Sequence, residues 1–224
     1  MRYDTILLDA DNTLLDFDRA EQEALEWVFH TRALPFDTQT VADYRVINNR
    51  LWRAFEQNQI EKSQIGQQRF RLLFEQLGLP QDAAMVNAAY MERLGQGFYL
   101  VKGALETCCA LQNLGCRLYI VTNGTARTQY SRLSGSGLNP YLNAVFVSEE
   151  VGFQKPLKGY FDYVFAHIPQ FCPTSTLLVG DSLTSDIAGG KAAGLDTCWF
   201  CPNGAQSAEP TYIIRSLDQL LSLV

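Results

Sequence analysis

Positive charge is scarce in this chain: 18 lysines and arginines face 24 aspartates and glutamates, for a net charge of −6 and a pI near 4.9. Proteins that bind nucleic-acid polymers present a basic surface, so that class is excluded. A small anionic substrate would need a local cation or a metal to hold it. No apolar run approaches the ~20 residues that cross a bilayer, so no membrane segment is expected. Met1-Arg2-Tyr3-Asp4 leads straight into a short apolar run that soon turns acidic, which is not a signal-peptide pattern. The expected location is therefore the cytoplasm. The two histidines, His30 and His167, lie at no motif position and read as surface or satisfied structural residues. The six cysteines form no CxxC with a matching histidine pair. Cys198 and Cys201 have the CxxC spacing but bracket an apolar run, so all six read as buried or partly buried thiols of a reducing compartment. Low-complexity segments and internal repeats are also missing.

What the chain does have is enough apolar residue, 47% of 224, for a substantial core. That suits one α/β domain with an insertion, or two small domains. Tyr3 to Leu8 is a short apolar run ending in Asp9 and reads as a buried strand. Only helical spacing follows for roughly eighty residues, over 20–29, 41–55, 63–77 and 83–94. Breaks fall at Leu34-Pro35, near Gln57-Asn58 and at Gly78-Leu79-Pro80. Strand-like runs then return at 117–122, 144–148, 176–180 and 197–200, alternating with helical stretches at 103–114, 127–136, 157–166 and 184–193. This alternation predicts parallel βαβ units. The fold class is α/β: a doubly wound parallel sheet, residues 1–16 and 99–224, interrupted after its first strand by an all-helical insertion, residues 17–98.

Ligands of open α/β sheets sit at the carboxyl ends of the strands. The first strand is followed by Asp9-Ala10-Asp11-Asn12-Thr13 and the second by Thr122-Asn123-Gly124. Lys155-Pro156 lies beyond the third, and Gly180-Asp181-Ser182, with Asp186 further on, ends the fourth. Each group alone is commonplace. An Asp-x-Asp is often a turn, a Lys-Pro a surface loop before a helix, and a Gly-Asp another turn. Their joint occurrence at four strand ends makes those readings poor. Asp9, Asp11 and Asp181 would converge at one sheet edge, where three carboxylates repel unless a cation joins them. Oxygen-only ligands favour Mg²⁺. Lys155 would offset remaining charge and contact the nucleophile and the phosphate, and Thr122, with backbone N–H groups of Asn123 and Gly124 at a helix start, would hold phosphate oxygens. A carboxylate can attack phosphorus to give an aspartyl-phosphate. A second carboxylic acid can protonate the leaving oxygen and then activate water.

Taken together, Asp9-Ala-Asp-Asn-Thr-Leu14, Thr122-Asn-Gly124, Lys155-Pro156 and Gly180-Asp-Ser-Leu-Thr-Ser-Asp186 resemble the haloacid dehalogenase superfamily, in order and over nearly the whole chain. The resemblance implies a Rossmann-like core with a helical cap, Asp9 as nucleophile and Asp11 as acid/base. It implies Mg²⁺ held by Asp9, the Asp11 backbone carbonyl and Asp181, with Asp186 on metal-bound water or orienting Lys155. Asn12 stands where many relatives carry Gly or Glu, at a position that supplies backbone more than side chain. A closer likeness is to the bacterial pyrimidine 5′-nucleotidases acting on non-standard nucleotides. It rests on Gln129, Arg132-Leu133, Gly137-Leu138, Tyr141 and Ser148-Glu-Glu-Val-Gly152, and in the insertion on Asn48 and Leu51-Trp52. That likeness implies a nucleoside monophosphate as the small phosphorylated partner, with no nucleic acid, membrane or protein partner indicated. The alternatives are a sugar-phosphate or phosphoglycolate phosphatase on the same scaffold, and a non-catalytic phospho-ligand-binding module. Dehalogenation is disfavoured because relatives doing it lack the aspartate at the Asp11 position. The aromatic residues of the insertion, among them Trp27, Phe55, Phe70, Phe74, Tyr90, Phe98 and Tyr99, read as core. Phe17 and Trp52 are the candidates for stacking on a base. Arg50, Arg53, Lys62 and Lys158 read as solvated.

Overall fold

The computed structural model describes residues 2–224. Six strands, β1 (Thr5–Leu8), β2 (Arg117–Thr122), β3 (Ala144–Val147), β4 (Thr176–Gly180), β5 (Asp196–Phe200) and β6 (Tyr212–Ile214), form one sheet in the order β3-β2-β1-β4-β5-β6. Every pairing is parallel, and Leu8 of β1 sits in register with Ile120 of β2 and Val179 of β4. The strands read as unbroken apolar runs because both faces are covered. On β1 the side chains alternate with the pleat. Ile6 and Leu8 pack with Cys108 and Leu111 of α5 (Ala104–Asn113) and Leu133 of α6 (Ala126–Ser136). Leu7 packs on the other face with Tyr160, Phe161 and Val164 of α8 (Lys158–His167). The single-turn α7 (Ser148–Val151) follows β3 directly.

The chain separates into two compact units, Met1–Phe17 with Phe98–Val224, and Asp18–Gly97. The second unit is helical: most of α1 (Phe17–Thr31), then α2 (Thr38–Glu56), α3 (Lys62–Leu77) and α4 (Ala83–Leu94). Its helix starts are made by local chemistry. Asp37 accepts from the Thr40 N–H at 2.8 Å, Asp82 accepts from Ala84 and Met85, and Glu61 with Gln64 forms a reciprocal capping box. Gly78 closes α3 in the left-handed conformation, φ 65°. The interior is an aromatic cluster in which Phe70 and Tyr90 meet edge-to-face at 5.3 Å and Phe29 packs on Phe74.

Several expectations need correction. Trp27 and Phe98 are 41% and 40% exposed, so they are not core. Cys172 is exposed, whereas Cys108, Cys116, Cys198 and Cys201 are buried. The helix expected over 184–193 begins as a π-helical turn, Leu183–Ile187, before α9 (Ala188–Ala192). The N–H groups of Asp186 and Ile187 both donate to the Ser182 carbonyl at 3.1 Å, which widens that turn. β6 and the 3₁₀ segment Leu217–Ser222 have no counterpart in the sequence reading. Among the described residues no helix is long and apolar enough to cross a membrane.

Candidate active site

The central strands β1, β2 and β4 end side by side, and their carboxyl ends bring the polar residues together. Asp9 follows β1, its N–H bonded to the Val179 carbonyl at 2.9 Å, so its backbone is still part of the sheet. The chain then turns sharply. Asn12 takes φ 56°, donates its N–H to the Leu15 carbonyl at 2.7 Å and accepts from the Phe17 N–H through its side chain. Asparagine tolerates the left-handed region better than most residues, so it serves this position without being glycine.

Lys155 is 1% exposed and organises the centre. Its ammonium donates to Asp9 Oδ1, Asp186 Oδ1 and the Val121 carbonyl, each at 2.7 Å, which uses all three of its protons. The loop that carries it is fixed by Asn123, whose side-chain oxygen accepts from the Lys155 N–H and whose amide donates to the Lys155 carbonyl, both at 2.9 Å. Asn123 is thus a brace between β2 and the lysine. Burial alone would lower the Lys155 pKa, but the Asp186 and Asp9 carboxylates outweigh it and keep the ammonium charged.

Asp186 is fully buried, with Oδ1 on Lys155 and Oδ2 accepting from the Ser182 N–H at 3.1 Å. Of the two roles the resemblance offered it, the geometry pairs it with Lys155. Gly180 makes room for it: a Cβ there would lie 2.2 Å from Asp186 Oδ2. Asp181 is oriented through its backbone, whose carbonyl accepts from Trp199 Nε1 at 2.7 Å, a contact that sequence reading missed. Carboxylate oxygens of Asp9, Asp181 and Asp186 all lie within 4.8 Å of one another. Burial, opposed by Lys155 and reinforced by Asp186 and Asp11, raises Asp9 to about 7. Burial and the neighbouring Asp9 and Asp186 carboxylates push Asp181 up to about 9.

This donor set fits a divalent hard cation. Three carboxylates against one ammonium leave the cluster two positive charges short, and every donor is oxygen. Asp186 spends its two oxygens on Lys155 and the Ser182 N–H, and Asp9 holds Lys155 at 2.7 Å on Oδ1 with only a long 3.3 Å bond from Thr13 on Oδ2, so Asp9 and Asp181 are the side chains that would hold the cation.

Asp11 sits apart from that cluster in its bonding. Its Oδ1 accepts from Arg132 Nη1 and its Oδ2 from Gln129 Nε2 at 2.8 Å. Thr122, 1% exposed, accepts at Oγ1 from Gln129 Nε2 at 2.7 Å and from the Gly124 N–H at 3.0 Å. Both of its lone pairs are taken, so its own proton must be given to another acceptor. Arg132 is fully buried with its guanidinium 5.6 Å from the centre of the Phe17 ring, so Phe17 covers an arginine. Trp52 packs edge-on against Phe55 at 5.9 Å. His30 is exposed beside Glu26 and His167 stacks on Tyr163, in keeping with structural roles. Arg50 and Arg53 are exposed, and Lys158 pairs with Asp162 at the surface.

The profile of the haloacid dehalogenase-like hydrolases matches residues 3–194. The chain is similar to HAD-hydrolase YfnB of Bacillus subtilis, 45% identical over 100% of this chain and 96% of that protein. It is 38% identical to pyrimidine 5′-nucleotidase PynA of Streptococcus pneumoniae, over 99% of this chain and 94% of that one. With pyrimidine 5′-nucleotidase YjjG of Escherichia coli it shares 32% identity over 100% and 99% of the two chains. The crystal structure of YfnB bound to magnesium superimposes with a TM-score of 0.93, covering 100% of this chain and 99% of that one.

Proposed function

This chain belongs to the haloacid dehalogenase-like hydrolase family, and from that premise we propose that it is a Mg²⁺-dependent phosphomonoesterase acting on pyrimidine nucleoside 5′-monophosphates through an aspartyl-phosphate. The observation that carries the chemistry is the Asp9–Lys155–Asp186 triad at the strand ends, with Asp181 beside it and Asp11 two residues from Asp9. The nucleotide assignment rests on the two relatives named pyrimidine 5′-nucleotidases.

Asp9 is the nucleophile. One of its oxygens attacks phosphorus, the ester P–O bond breaks, and the leaving oxygen takes a proton from Asp11. Water then attacks the phosphorus of the aspartyl-phosphate and gives a proton to Asp11, and the bond to Asp9 breaks to release phosphate. Lys155 favours the ionised form of Asp9 against the effect of burial and orients it. Thr122 gives its remaining proton to a phosphate oxygen. Asp9, Asp181 and the Asp11 backbone carbonyl are the groups that would hold Mg²⁺, which when bound offsets the charge of the transferring phosphoryl group. The helical unit Asp18–Gly97 is assigned the role of a cap that reads the leaving group.

Phosphate release from UMP, dUMP, dTMP, AMP, glucose 6-phosphate and phosphoglycolate, with Mg²⁺ and with EDTA, tests this. Mg²⁺-dependent release led by the pyrimidine monophosphates is expected. Release led by a sugar phosphate would keep the mechanism and remove the nucleotide assignment. Release unchanged by EDTA would remove the metal.

A further inference from the structure

We propose that Gln129 and Arg132 are positioning residues that aim the Asp11 carboxyl, so that proton delivery to the leaving group depends on a rigid support on α6. The inference rests on the acid/base role proposed for Asp11.

Residues 129 and 132 are three apart on a helix and therefore share a face. Both are buried, at 1% and 0% exposure. Arg132 Nη1 donates to Asp11 Oδ1 and also to Gln129 Oε1 at 3.3 Å. Gln129 Nε2 donates to Asp11 Oδ2 and to Thr122 Oγ1. Each oxygen of Asp11 has its own donor, so rotation about its Cβ–Cγ bond is blocked. The buried Arg132 guanidinium bonds to Asp11 Oδ1 and so fixes the direction of that carboxyl. The chain makes space for this bridge: a Cβ on Gly124 would lie 2.4 Å from Gln129 Nε2. The glycine of the Thr122-Asn123-Gly124 group thus serves the glutamine as well as the loop.

The chemistry gives a specific signature. When the ester P–O bond breaks, its electron pair goes to the leaving oxygen. A nucleoside or alkyl oxygen is strongly basic and needs a proton from Asp11 in the same step, whereas a nitrophenolate departs without one. A residue that only aims Asp11 matters for the first substrate and little for the second. A residue that merely holds the fold matters equally for both.

The test compares kcat/KM for UMP and 4-nitrophenyl phosphate, a ratio that reports steps up to loss of the leaving group. The proteins are wild type, Asp11→Asn, Gln129→Met and Arg132→Lys, with Gln129→Met also made in the Asp11→Asn background. Misaiming a catalytic group costs on the order of 10²-fold. We expect Gln129→Met and Arg132→Lys to lose about 10- to 100-fold on UMP and less than about 3-fold on the aryl ester. Gln129→Met should add nothing once Asp11 is asparagine. Equal losses on both substrates, or an undiminished loss in the Asp11→Asn background, would overturn the inference. Should Arg132→Lys not fold, Gln129→Met decides alone. If Asp11→Asn itself lowers both substrates equally, or wild type releases phosphate from neither, the acid role of Asp11 fails and this inference with it. If Asp11→Asn shows the split and Gln129→Met does not, only this inference fails.

Discussion

Replacing Lys155 by methionine removes the cation from the buried centre while keeping most of its volume, so little of the effect comes from a cavity. The wild-type ammonium makes three 2.7 Å bonds, two of them to the carboxylates of Asp9 and Asp186. Side chains in both pairs are at most 9% exposed, so solvent screens them little. Removing one member of such a pair costs about 3–5 kcal/mol, because the charges left behind are buried without a partner. The loss should depend on pH. Lys155 opposes the burial that already raises Asp9 to about 7, and without it Asp9 rises further. A carboxyl with a raised folded pKa binds more protons folded than unfolded, so stability falls as pH rises between its unfolded and folded values. Urea unfolding should show Lys155→Met weakened most at pH 8 and less at pH 5.5, with phosphate release at pH 8 reduced at least ~10²-fold. A difference from wild type below about 1 kcal/mol, or one equal at both pH values, would refute the view that Lys155 favours the charged form of Asp9.

Two further outcomes are expected. Gly180→Ala would put a methyl 2.2 Å from Asp186 Oδ2, displacing that carboxylate from Lys155; phosphate release should fall about 10²-fold, and wild-type turnover would show that Asp186 can move without consequence. In the helical unit Glu21 is 4% exposed, accepts from Asn48 Nδ2 at 3.0 Å, and is raised from 4.5 to about 7, mainly by burial against the opposing pull of Arg45. Its contribution is full below pH 4.5 and is lost by pH 7, a change of about 3 kcal/mol at ~1.4 kcal/mol per pH unit. Thermal melts should therefore show Glu21→Gln gaining on wild type as pH rises from 5 to 8, and a constant difference would contradict the burial argument.

The fold was legible where one physical rule dominates. Buried parallel strands must be apolar throughout, so 117–122 and 176–180 stood out as runs and both are strands. Four polar groups at strand ends could be found because a parallel sheet brings its carboxyl ends together. β6 was missed because three residues at the sheet edge give no run to see. The π-helical turn depends on two N–H groups sharing the Ser182 carbonyl, which no side-chain pattern encodes. Helical periodicity assigns charged residues to water, so Arg132, Arg69 and Glu21 could not be recognised as buried from spacing. Gln129 and Arg132 entered the sequence reading only through a resemblance, without a role.

The two acidic positions after β4 show how one backbone gives like residues unlike tasks. Asp186 meets Lys155 on one oxygen and a backbone N–H on the other, so its charge is matched inside the protein. Asp181, five residues earlier, is held through its carbonyl by Trp199 and stands among the Asp9 and Asp186 carboxylates. Burial first, and then those two carboxylates, push its pKa up to about 9. A protein that needed only to bury an aspartate there would supply a second cation or an asparagine. Retaining an unmatched carboxylate beside a matched one suits a site completed by a cation from solution. The same division appears across the centre: Asp11 is matched by Arg132, and Asp9 is matched only in part by Lys155. The poorly matched pair, Asp9 and Asp181, is the pair assigned to hold Mg²⁺, and the well-matched pair, Asp11 and Asp186, is the pair whose orientation is fixed by the protein itself.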